Sequence, residues 1–489
     1  MSQEKKLQHK IIPVNTAADW ENLTEHCPYL TDWGKNILKA GLQSKAKSVL
    51  VERDYVCKDH TNLFSNFYSK RYDETDRKTY RLHFFSDGYS DFKEWLNSRH
   101  AAIQNAYLGF SVIRKSAERC LGRSIFDPVK IGLASNNYIL TAGFTATVFG
   151  RKMHINGFPY MSQDIDITVC AHSALWAVCR YLSEKFRAYK EYLPFDIVEL
   201  ADKSNGRIYP YRGMTYMDYS QIMTQFGVFP LVEKMNSNDG YEVSKNERLY
   251  TYVESGFPVI ASYGGHVAVI VGHTLKEKIT FKSGQKFTST ADLIGDYIVV
   301  DDNYFPYRKL NETETSGSTP TVQTFIVPLP EKIFLTAEII LTKVNEYIEI
   351  PDFYNKLTED RKGPYLKRVF IATSISYKRR LLEHFEKNHD IASYLLLNMP
   401  LPHFIWVVEL MTEASYEARE ADCVILLDPT AEPKKEFDGM ILFQKMSDQI
   451  TVLGRKPDIN LTSEKNKKLP MFVHNLAPKE MFDRRHVYG

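Results

Sequence analysis

Residues 256–273 read GFPVIASYGGHVAVIVGH, and this stretch decides the fold class of the middle of the chain. It contains two short apolar runs separated by a glycine-containing turn, a pattern that predicts two neighbouring strands. His266 opens the second run, and a period of two places it on one face with Ala268 and Ile270. We therefore expect an imidazole that projects across a cleft from a strand locked in a sheet.

A helix is predicted to begin at Cys170, within residues 163–176, which read QDIDITVCAHSALW. Apolar residues follow the cysteine at helical spacing over roughly seventeen residues. They are Ala171, Ala174, Leu175, Val178 and Leu182. Thr168 is the expected N-cap. A cysteine in the first turn meets free backbone N–H groups and the positive end of the helix dipole, which favour a thiolate over a thiol.

A third segment, residues 296–303, reads DYIVVDDN. The pattern predicts an apolar strand that ends in carboxylates. One of these carboxylates can hold the imidazole of His266 in the tautomer and orientation that a general base needs.

The order of these three pieces resembles the papain-like cysteine peptidases. A glutamine precedes a helix-opening cysteine, a histidine then heads an apolar strand that ends in glycine, and an acid or amide ends the next strand. The match is best around His266, where the family commonly has His-Ala-Val, several apolar residues and Gly-Tyr. Gly272 falls six residues after the histidine, as in that pattern. The short link from Gly-x-Pro-Val to the histidine is more similar to the compact bacterial branch that includes the bacteriocin leader-processing peptidases.

The resemblance implies a role for each matched residue. Cys170 would be the nucleophile, His266 the general base and then the general acid, and Asp301 the residue that orients the imidazole. Asp302 and Asn303 compete with Asp301 for this third role. The expected chemistry is acyl transfer through a thioester, with cleavage of a peptide or isopeptide bond as the default.

The resemblance also implies an oxyanion site, formed by the side-chain amide of Gln163 and the backbone N–H of Cys170. Gln163 precedes the cysteine by seven residues, one more than is usual in the family, and Ala171 stands where the family usually has glycine. The shifted glutamine and the large flanking domains motivate an alternative hypothesis. In it the papain-like fold is a binding or regulatory module with weak or no catalysis, in a bacterial stress or phage-defence system.

The whole chain is predicted to be α+β and to have three parts. The papain-like peptidase core, a helix packed on an antiparallel sheet, is placed in residues 151–330. Residues 1–150 and 331–489 are predicted to be N- and C-terminal α+β domains of unknown role. The second boundary depends on the helical pattern that begins after Pro330.

Composition argues against several classes of function. The 489 residues carry 62 basic and 60 acidic side chains, a formal charge of +2, so no nucleic-acid partner is expected. No secretory signal or bilayer-spanning stretch is visible, so we expect a cytoplasmic protein without a membrane partner. The six cysteines are scattered, and Cys57 and His60 lack a second pair of ligands, so neither a metal nor a cofactor is expected. The expected partners are a protein or peptide substrate and a regulatory protein.

Overall fold

The fold is mixed α+β, and in the described residues it is built on three large β-sheets. This computed structural model describes residues 9–72, 75–116, 118–133, 137–164, 166–186, 188–201, 213–281, 284–312, 321–359, 363–452, 459–462 and 467–476. The predicted α+β class is confirmed. None of the helices in these ranges combines the length and apolar character that a membrane span requires.

The first sheet is antiparallel, and its five strands lie in chain order. The strands are β1 (His9–Pro13), β2 (Ser48–Tyr55), β3 (Thr79–Phe85), β4 (Tyr107–Ile113) and β5 (Leu121–Phe126). The helices between them are α1 (Ala17–His26), α2 (Asp32–Leu42), α3 (Lys58–Asn66), α4 (Phe92–Asn97) and α5 (His100–Ala106). Every residue of β4 is buried, so the sheet is covered on both faces at this strand, which lies next to the edge strand β5.

The middle sheet positions the candidate site. The next strands along the chain are β6 (Asn137–Ile139), β7 (Ala142–Val148), β8 (Arg151–Gly157), β9 (Val228–Lys234), β10 (Val259–Tyr263), β11 (His266–Leu275), β12 (Phe287–Ser289), β13 (Ile294–Val300), β14 (Arg308–Lys309) and β15 (Thr324–Pro330). The accompanying helices are α6 (Cys170–Lys185), α7 (Pro194–Leu200), α8 (Tyr216–Phe226) and α9 (Lys245–Glu254). The strand order is β14-β13-β11-β10-β15-β9, β6 also pairs with β11, and all these pairs are antiparallel.

The third sheet is formed mainly by the C-terminal part of the chain. Its region contains the strands β16 (Tyr365–Thr373), β17 (Phe404–Met411), β18 (Glu420–Ala421), β19 (Cys423–Leu427), β20 (Ile441–Met446), β21 (Gln449–Val452), β22 (Ile459–Thr462) and β23 (Leu469–Pro470). The helices are α10 (Ala337–Ile348), α11 (Pro351–Thr358), α12 (Ser374–Asn388), α13 (Ile391–Asn398) and α14 (Glu413–Glu417). The order is β12-β16-β17-β19-β20-β21-β22, while β18 pairs separately with β23.

Two strands pair with sheets that lie beyond the predicted domain boundaries. The boundary at 150/151 falls in the turn of a separate hairpin formed by β7 and β8. Strand β6, from the first predicted segment, pairs with β11 of the middle sheet. Strand β12, from the second segment, pairs in parallel with β16 of the third sheet. The boundary at 330/331 coincides with the end of β15.

Glycines set the geometry of the β10–β11 hairpin. Gly264 and Gly265 have φ angles of +53° and +79°, as in the two-residue hairpin turns that need positive φ at both positions. Farther along β11, a Cβ at Gly272 would lie 2.0 Å from the carbonyl oxygen of Tyr138. Glycine is required there because the backbone of β6 approaches β11 closely.

Helix α6 lies inside the largest hydrophobic core of the protein. All its residues from Ala171 to Leu182 are buried. The helix packs against β11 and against β7. Its apolar side chains belong to one core cluster with those of the first two sheets, for example Val112 and Val269. This burial holds the start of the helix in a constant position relative to the middle sheet.

Candidate active site

The antiparallel pairing of β11 and β13 brings a histidine and two carboxylates together. β11 begins at His266 and the neighbouring β13 ends at Val300, so both termini lie at the same end of the sheet. Asp301 and Asp302 follow β13 directly and thus come next to the imidazole. The hairpin turn places Tyr263 opposite His266, on the other strand.

Asp301 makes the closest contact with the imidazole among the three residues predicted for the orienting role. Its Oδ1 lies 2.9 Å from Nε2 of His266, whereas Oδ1 of Asp302 lies 3.6 Å from the same nitrogen. The Asn303 side-chain nitrogen lies 3.3 Å from it. The Tyr263 hydroxyl donates to Oδ2 of Asp301 at 2.6 Å, and the Asn303 backbone N–H donates to Oδ1 at 2.9 Å. The carboxylate is therefore held at both oxygens.

Cys170 is the first residue of α6, as predicted, and its thiol interacts with the imidazole of His266, which helps to raise the pKa of the imidazole. The helix spans 16 residues, close to the predicted length. The other five cysteines are buried, whereas Cys170 is partly exposed. Burial raises the pKa of those five thiols, in the case of Cys57 to about 11. Cys170 is thus the thiol that a substrate or reagent can reach.

Asp164 anchors the loop that leads into α6, although the sequence pattern did not single it out. Its Oδ1 accepts the backbone N–H groups of Ile167 at 2.9 Å and Thr168 at 2.7 Å. Its Oδ2 accepts the hydroxyl of Tyr68, between α3 and β3, at 2.7 Å. A buried carboxylate with several donors holds a loop in one conformation, so the first two segments of the chain together position the cysteine.

The prediction that Thr168 is the N-cap of α6 is wrong. Val169 is the N-cap residue, with an extended backbone and no side-chain cap, because the Thr168 hydroxyl accepts the N–H of Asp164 at 3.1 Å. The helix start is instead stabilised by His172, whose Nδ1 accepts the Val169 N–H at 3.3 Å. Burial lowers the pKa of His172 to about 4, so its imidazole is neutral and can act as an acceptor.

The contacts of Gln163 with the site are made by its backbone. Its N–H donates to Oδ2 of Asp302 at 3.3 Å. Its carbonyl oxygen accepts from the buried guanidinium of Arg114 at 2.9 Å, and the same guanidinium holds the carbonyl of Ser162 at 2.7 Å. The main chain seven residues before Cys170 is therefore fixed beside the carboxylates. The oxyanion role of the Gln163 amide stays a prediction.

The charges around His266 favour its protonated form. Burial lowers the pKa of His266, but the hydrogen bonds to Asp301 and Cys170 and the charges of both aspartates outweigh this and raise it to about 10. Burial raises the pKa of Asp301, but the hydrogen bonds from His266 and Tyr263 outweigh it and keep the pKa below its usual value. At neutral pH these residues form an imidazolium–carboxylate pair. An imidazolium next to a thiol is the arrangement that stabilises a thiolate.

Asp302 has a different environment from Asp301. Burial, followed by the charge of Asp301, raises the pKa of Asp302 to about 6. Its Oδ1 is buried and has no hydrogen-bond partner within the described part of the chain. His266, Asp301 and Asp302 each present one potential ligand atom, and these three atoms lie within 4.8 Å of one another. Within the described parts of the chain, these three residues form the group that could hold a metal ion.

A small cavity adjoins the cysteine between α6 and the middle sheet. Cys170 and Ser173 line it on the helix side, and Val267 and Val269 line it on β11. The predicted face of β11, with Ala268 and Ile270, is not the face that lines this cavity. His266 stands at the start of this strand, directly after the glycine turn.

Three residues that support the site were missed from the sequence. Tyr263 could have been found, because a two-residue turn at Gly264–Gly265 places it opposite His266. Asp164 carries a weaker signal, since Asp and Thr near a helix start often bond to nearby backbone groups. Arg114 lies at the end of β4 in a different sheet, and no local pattern links it to residue 163.

Three groups define the candidate site: a partly exposed thiol at a helix start, an imidazole that interacts with it, and a buried carboxylate that is hydrogen-bonded to the imidazole. Its reacting groups come from α6, β11 and the end of β13. The supporting groups come from the first part of the chain, the loop before α6 and β10. Comparison of the chain with models of protein families, with curated proteins and with solved structures gave no match.

Proposed function

We propose that the protein is an intracellular cysteine peptidase or related thiol hydrolase with a papain-like core. The observation that supports this most strongly is the His266 imidazole, which is hydrogen-bonded to Asp301 at 2.9 Å and interacts with the Cys170 thiol. These residues are far apart in the sequence, so local chain geometry does not account for their contact. A nucleophile, a base and a group that orients the base are the parts needed for covalent acyl transfer.

In the first half of the proposed reaction, the Cys170 thiolate attacks the carbonyl carbon of a peptide bond. A C–S bond forms, and negative charge develops on the carbonyl oxygen. The backbone N–H of Cys170 at the start of α6 is one donor to this oxyanion, and the side chain of Gln163 is the second. The imidazolium of His266 gives its proton to the leaving nitrogen as the C–N bond breaks, which leaves a thioester on the cysteine.

In the second half, water attacks the thioester. Neutral His266 takes a proton from the water, a C–O bond forms, and the C–S bond breaks to release a carboxylic acid and the thiolate. Asp301 keeps the imidazole in one orientation through both halves and stabilises its positive charge. The hydrogen bond from Tyr263 to Asp301 supports this role because it limits rotation of the carboxylate.

The substrate class that we propose is a protein or peptide. The same steps also serve hydrolysis of an isopeptide or simple amide bond and transfer of the acyl group to another amine, so the reaction class is acyl transfer in each case. Cleavage fragments in cells that express the wild type or Cys170→Ala protein distinguish these outcomes. New protein N-termini that depend on Cys170 indicate a peptidase, and release of a conjugated protein without new termini in the chain indicates a deconjugating enzyme.

The proposal also includes a cytoplasmic location and a regulatory protein partner. The first and third sheets contribute none of the three reacting groups. In this proposal, the parts of the chain that form these two sheets select the substrate or control access to the cleft.

Covalent labelling tests the proposed nucleophile. We expect iodoacetamide or a peptidyl vinyl sulfone to modify wild-type protein at Cys170 first, with the site mapped by mass spectrometry. The Cys170→Ala variant should lose this fast phase, whereas Cys57→Ala should keep it because that thiol is buried. Equal labelling of wild-type and Cys170→Ala protein would reject the assignment.

The alternative is a binding or regulatory module, and it makes the opposite prediction for conservative variants. The one-residue shift of Gln163, whose backbone is bound to Asp302, is the observation that favours it. A module of this kind should keep its cellular effect in Cys170→Ser and His266→Ala proteins. An enzyme should lose that effect in both.

A further inference from the structure

Two carboxylates in the candidate site point one oxygen each toward the same imidazole nitrogen. Oδ1 of Asp301 lies 2.9 Å and Oδ1 of Asp302 lies 3.6 Å from Nε2 of His266. A catalytic triad needs one such carboxylate. The second one has no part in the acyl-transfer steps proposed above, so its position calls for a different explanation.

The outer oxygen of each carboxylate is held by a separate donor. Oδ2 of Asp301 accepts the hydroxyl of Tyr263 at 2.6 Å, and Oδ2 of Asp302 accepts the backbone N–H of Gln163 at 3.3 Å. With their outer oxygens held in this way, both aspartates point Oδ1 toward Nε2 of His266. Hydrogen bonds of this kind, made by groups behind the ligands, orient the ligands of protein metal sites.

Among the described residues, the inner oxygen of Asp302 has the imidazole of His266, at 3.6 Å, as its charge partner and has no hydrogen-bond partner. The residue is 5% exposed, and its Oδ1 is buried without a hydrogen-bond partner among the described residues. Within the same residues, neither aspartate forms an ion pair with a lysine or an arginine. Buried polar oxygens are almost always paired, so an unpaired one beside a second carboxylate indicates a site for a cation.

We propose that His266, Asp301 and Asp302 form a binding site for Zn²⁺, with water as the fourth ligand. Bonds of about 2.0–2.1 Å in a tetrahedron place neighbouring ligand atoms about 3.3 Å apart. The distances from Nε2 to the two oxygens, 2.9 and 3.6 Å, lie on either side of this value. The imidazole nitrogen favours zinc over magnesium or calcium, which prefer sites made of oxygen ligands. The Cys170 thiol is not part of this group.

Zinc at this site would switch off the proposed thiol chemistry, a consequence that depends on the proposed function. The ion binds the lone pair of Nε2, so the proton carried by that nitrogen is released to water. The hydrogen bond between His266 and Asp301 is replaced by two bonds to the metal. The zinc-bound imidazole keeps only its Nδ1 proton and is a much weaker acid than the imidazolium, so it is a poor proton donor to a leaving group and no longer supplies the mobile charge beside the Cys170 thiolate.

Zinc binding by the full-length protein tests the site without any need for activity. Metal-free protein is titrated with Zn²⁺ in competition with a chromophoric chelator. We expect one zinc ion at this site in the wild type and unchanged affinity in Cys170→Ala. The affinity should fall by about 100-fold or more in Asp302→Asn, which keeps the size of the side chain but removes an anionic ligand. Asp422→Asn is the matched control, since the side chain of this aspartate is only 8% exposed but pairs with Lys468 at 3.1 Å.

Two results would overturn the metal site. One is equal zinc affinity in the wild type and in both Asp302→Asn and Asp301→Asn, with folding of each variant verified by circular dichroism. The other is loss of binding in Cys170→Ala with retention in Asp302→Asn, which assigns the zinc to the thiol and the imidazole. Protection of Cys170 from iodoacetamide by Zn²⁺ in the wild type, absent in Asp302→Asn, tests the inhibitory effect separately. A protein that binds zinc but shows no Cys170-dependent labelling keeps the metal site and loses the proposed function.

Discussion

Strand β11 carries two histidines, His266 and His273, and each is paired through Nε2 with a carboxylate. The distances are similar, 2.9 Å to Asp301 and 2.7 Å to Glu254. Their surroundings differ. The side chain of His266 is 22% exposed and contacts a thiol, whereas that of His273 is 2% exposed and lies inside the protein.

The second difference is the cation that balances the carboxylate. Glu254 accepts from the guanidinium of Arg368 at 2.7 Å, and Arg368 also donates to Glu409 at 2.7 Å. These residues lie on α9, β16 and β17, so the network joins the middle sheet to the third sheet. Burial raises the pKa of Glu254, but Arg368 and His273 outweigh it and lower the pKa to about 2.

The comparison shows why the same histidine–carboxylate pair is structural at one end of a strand and a candidate for catalysis at the other. At His273, an arginine compensates the carboxylate, and burial excludes reagents. At His266, the imidazolium is the cation that balances the carboxylates, and it is accessible. A reactive site needs a balancing cation that can lose its charge, because a proton must be able to leave the imidazole and return to it.

Removal of the arginine from the structural network should have the largest effect. Arg368→Met leaves two buried carboxylates without their cation, and we expect the free energy of unfolding to fall by about 3–5 kcal/mol. Urea denaturation measures this loss. The matched control is Lys286→Met, which breaks an exposed pair with Glu349 and should cost less than about 1 kcal/mol. Similar losses in the two variants would show that the network does not hold the sheets together.

Removal of the reactive imidazole should slow labelling at Cys170. In His266→Ala the thiol lacks an imidazolium partner, and an ordinary thiol is ionised to well under about one per cent at pH 6. We expect the rate of iodoacetamide labelling at pH 6 to fall about 100-fold, equivalent to about 2.7 kcal/mol. His273→Gln should label at the wild-type rate. A wild-type rate in His266→Ala contradicts the ion-pair interpretation.

Acid should weaken the structural network in a defined range. A carboxylate whose pKa is lowered in the folded state stabilises the fold above its unfolded pKa, and this contribution is lost as the pH falls toward the folded value. For Glu254, with a folded pKa of about 2, the stability advantage of wild type over Glu254→Gln should shrink by about 2 kcal/mol between pH 5 and pH 3. Urea denaturation of both proteins across this range measures the change, and a constant difference would contradict the pairing.

Loss of one supporting hydroxyl should have the smallest effect. Tyr263→Phe removes one of the donors to Asp301 but leaves the bonds from His266 and Asn303. We expect the labelling rate at Cys170 to fall less than about tenfold, that is by about 1 kcal/mol. Tyr250→Phe is the matched control, because that buried hydroxyl bonds to Thr290 away from the site. A loss as large as that in His266→Ala would mean that Tyr263 takes part in the chemistry itself.

Much of the fold could be predicted wherever apolar residues repeat with a clear period. The start of α6 at Cys170, the strand that begins at His266 and the strand that ends before Asp301 were predicted from such patterns and are present in the structure. The N-cap at Thr168 could not be predicted, because the threonine hydroxyl bonds to Asp164 instead of the helix. The pairing of β6 with the middle sheet and of β12 with the third sheet also has no local signal, since it joins segments that are distant in the sequence.

The sequence by itself determined which residues stand at the ends of helices and strands, because hydrophobic periodicity and turn-forming glycines act over a few neighbouring residues. Only the tertiary structure decided that Cys170, His266 and Asp301 meet, that Asp301 lies closer to the imidazole than Asp302, and that one oxygen of Asp302 has no hydrogen-bond partner among the described residues. It also decided that His273, on the same strand, is structural. These properties depend on strand pairing, burial and the balance of charge between parts of the chain that are remote in sequence.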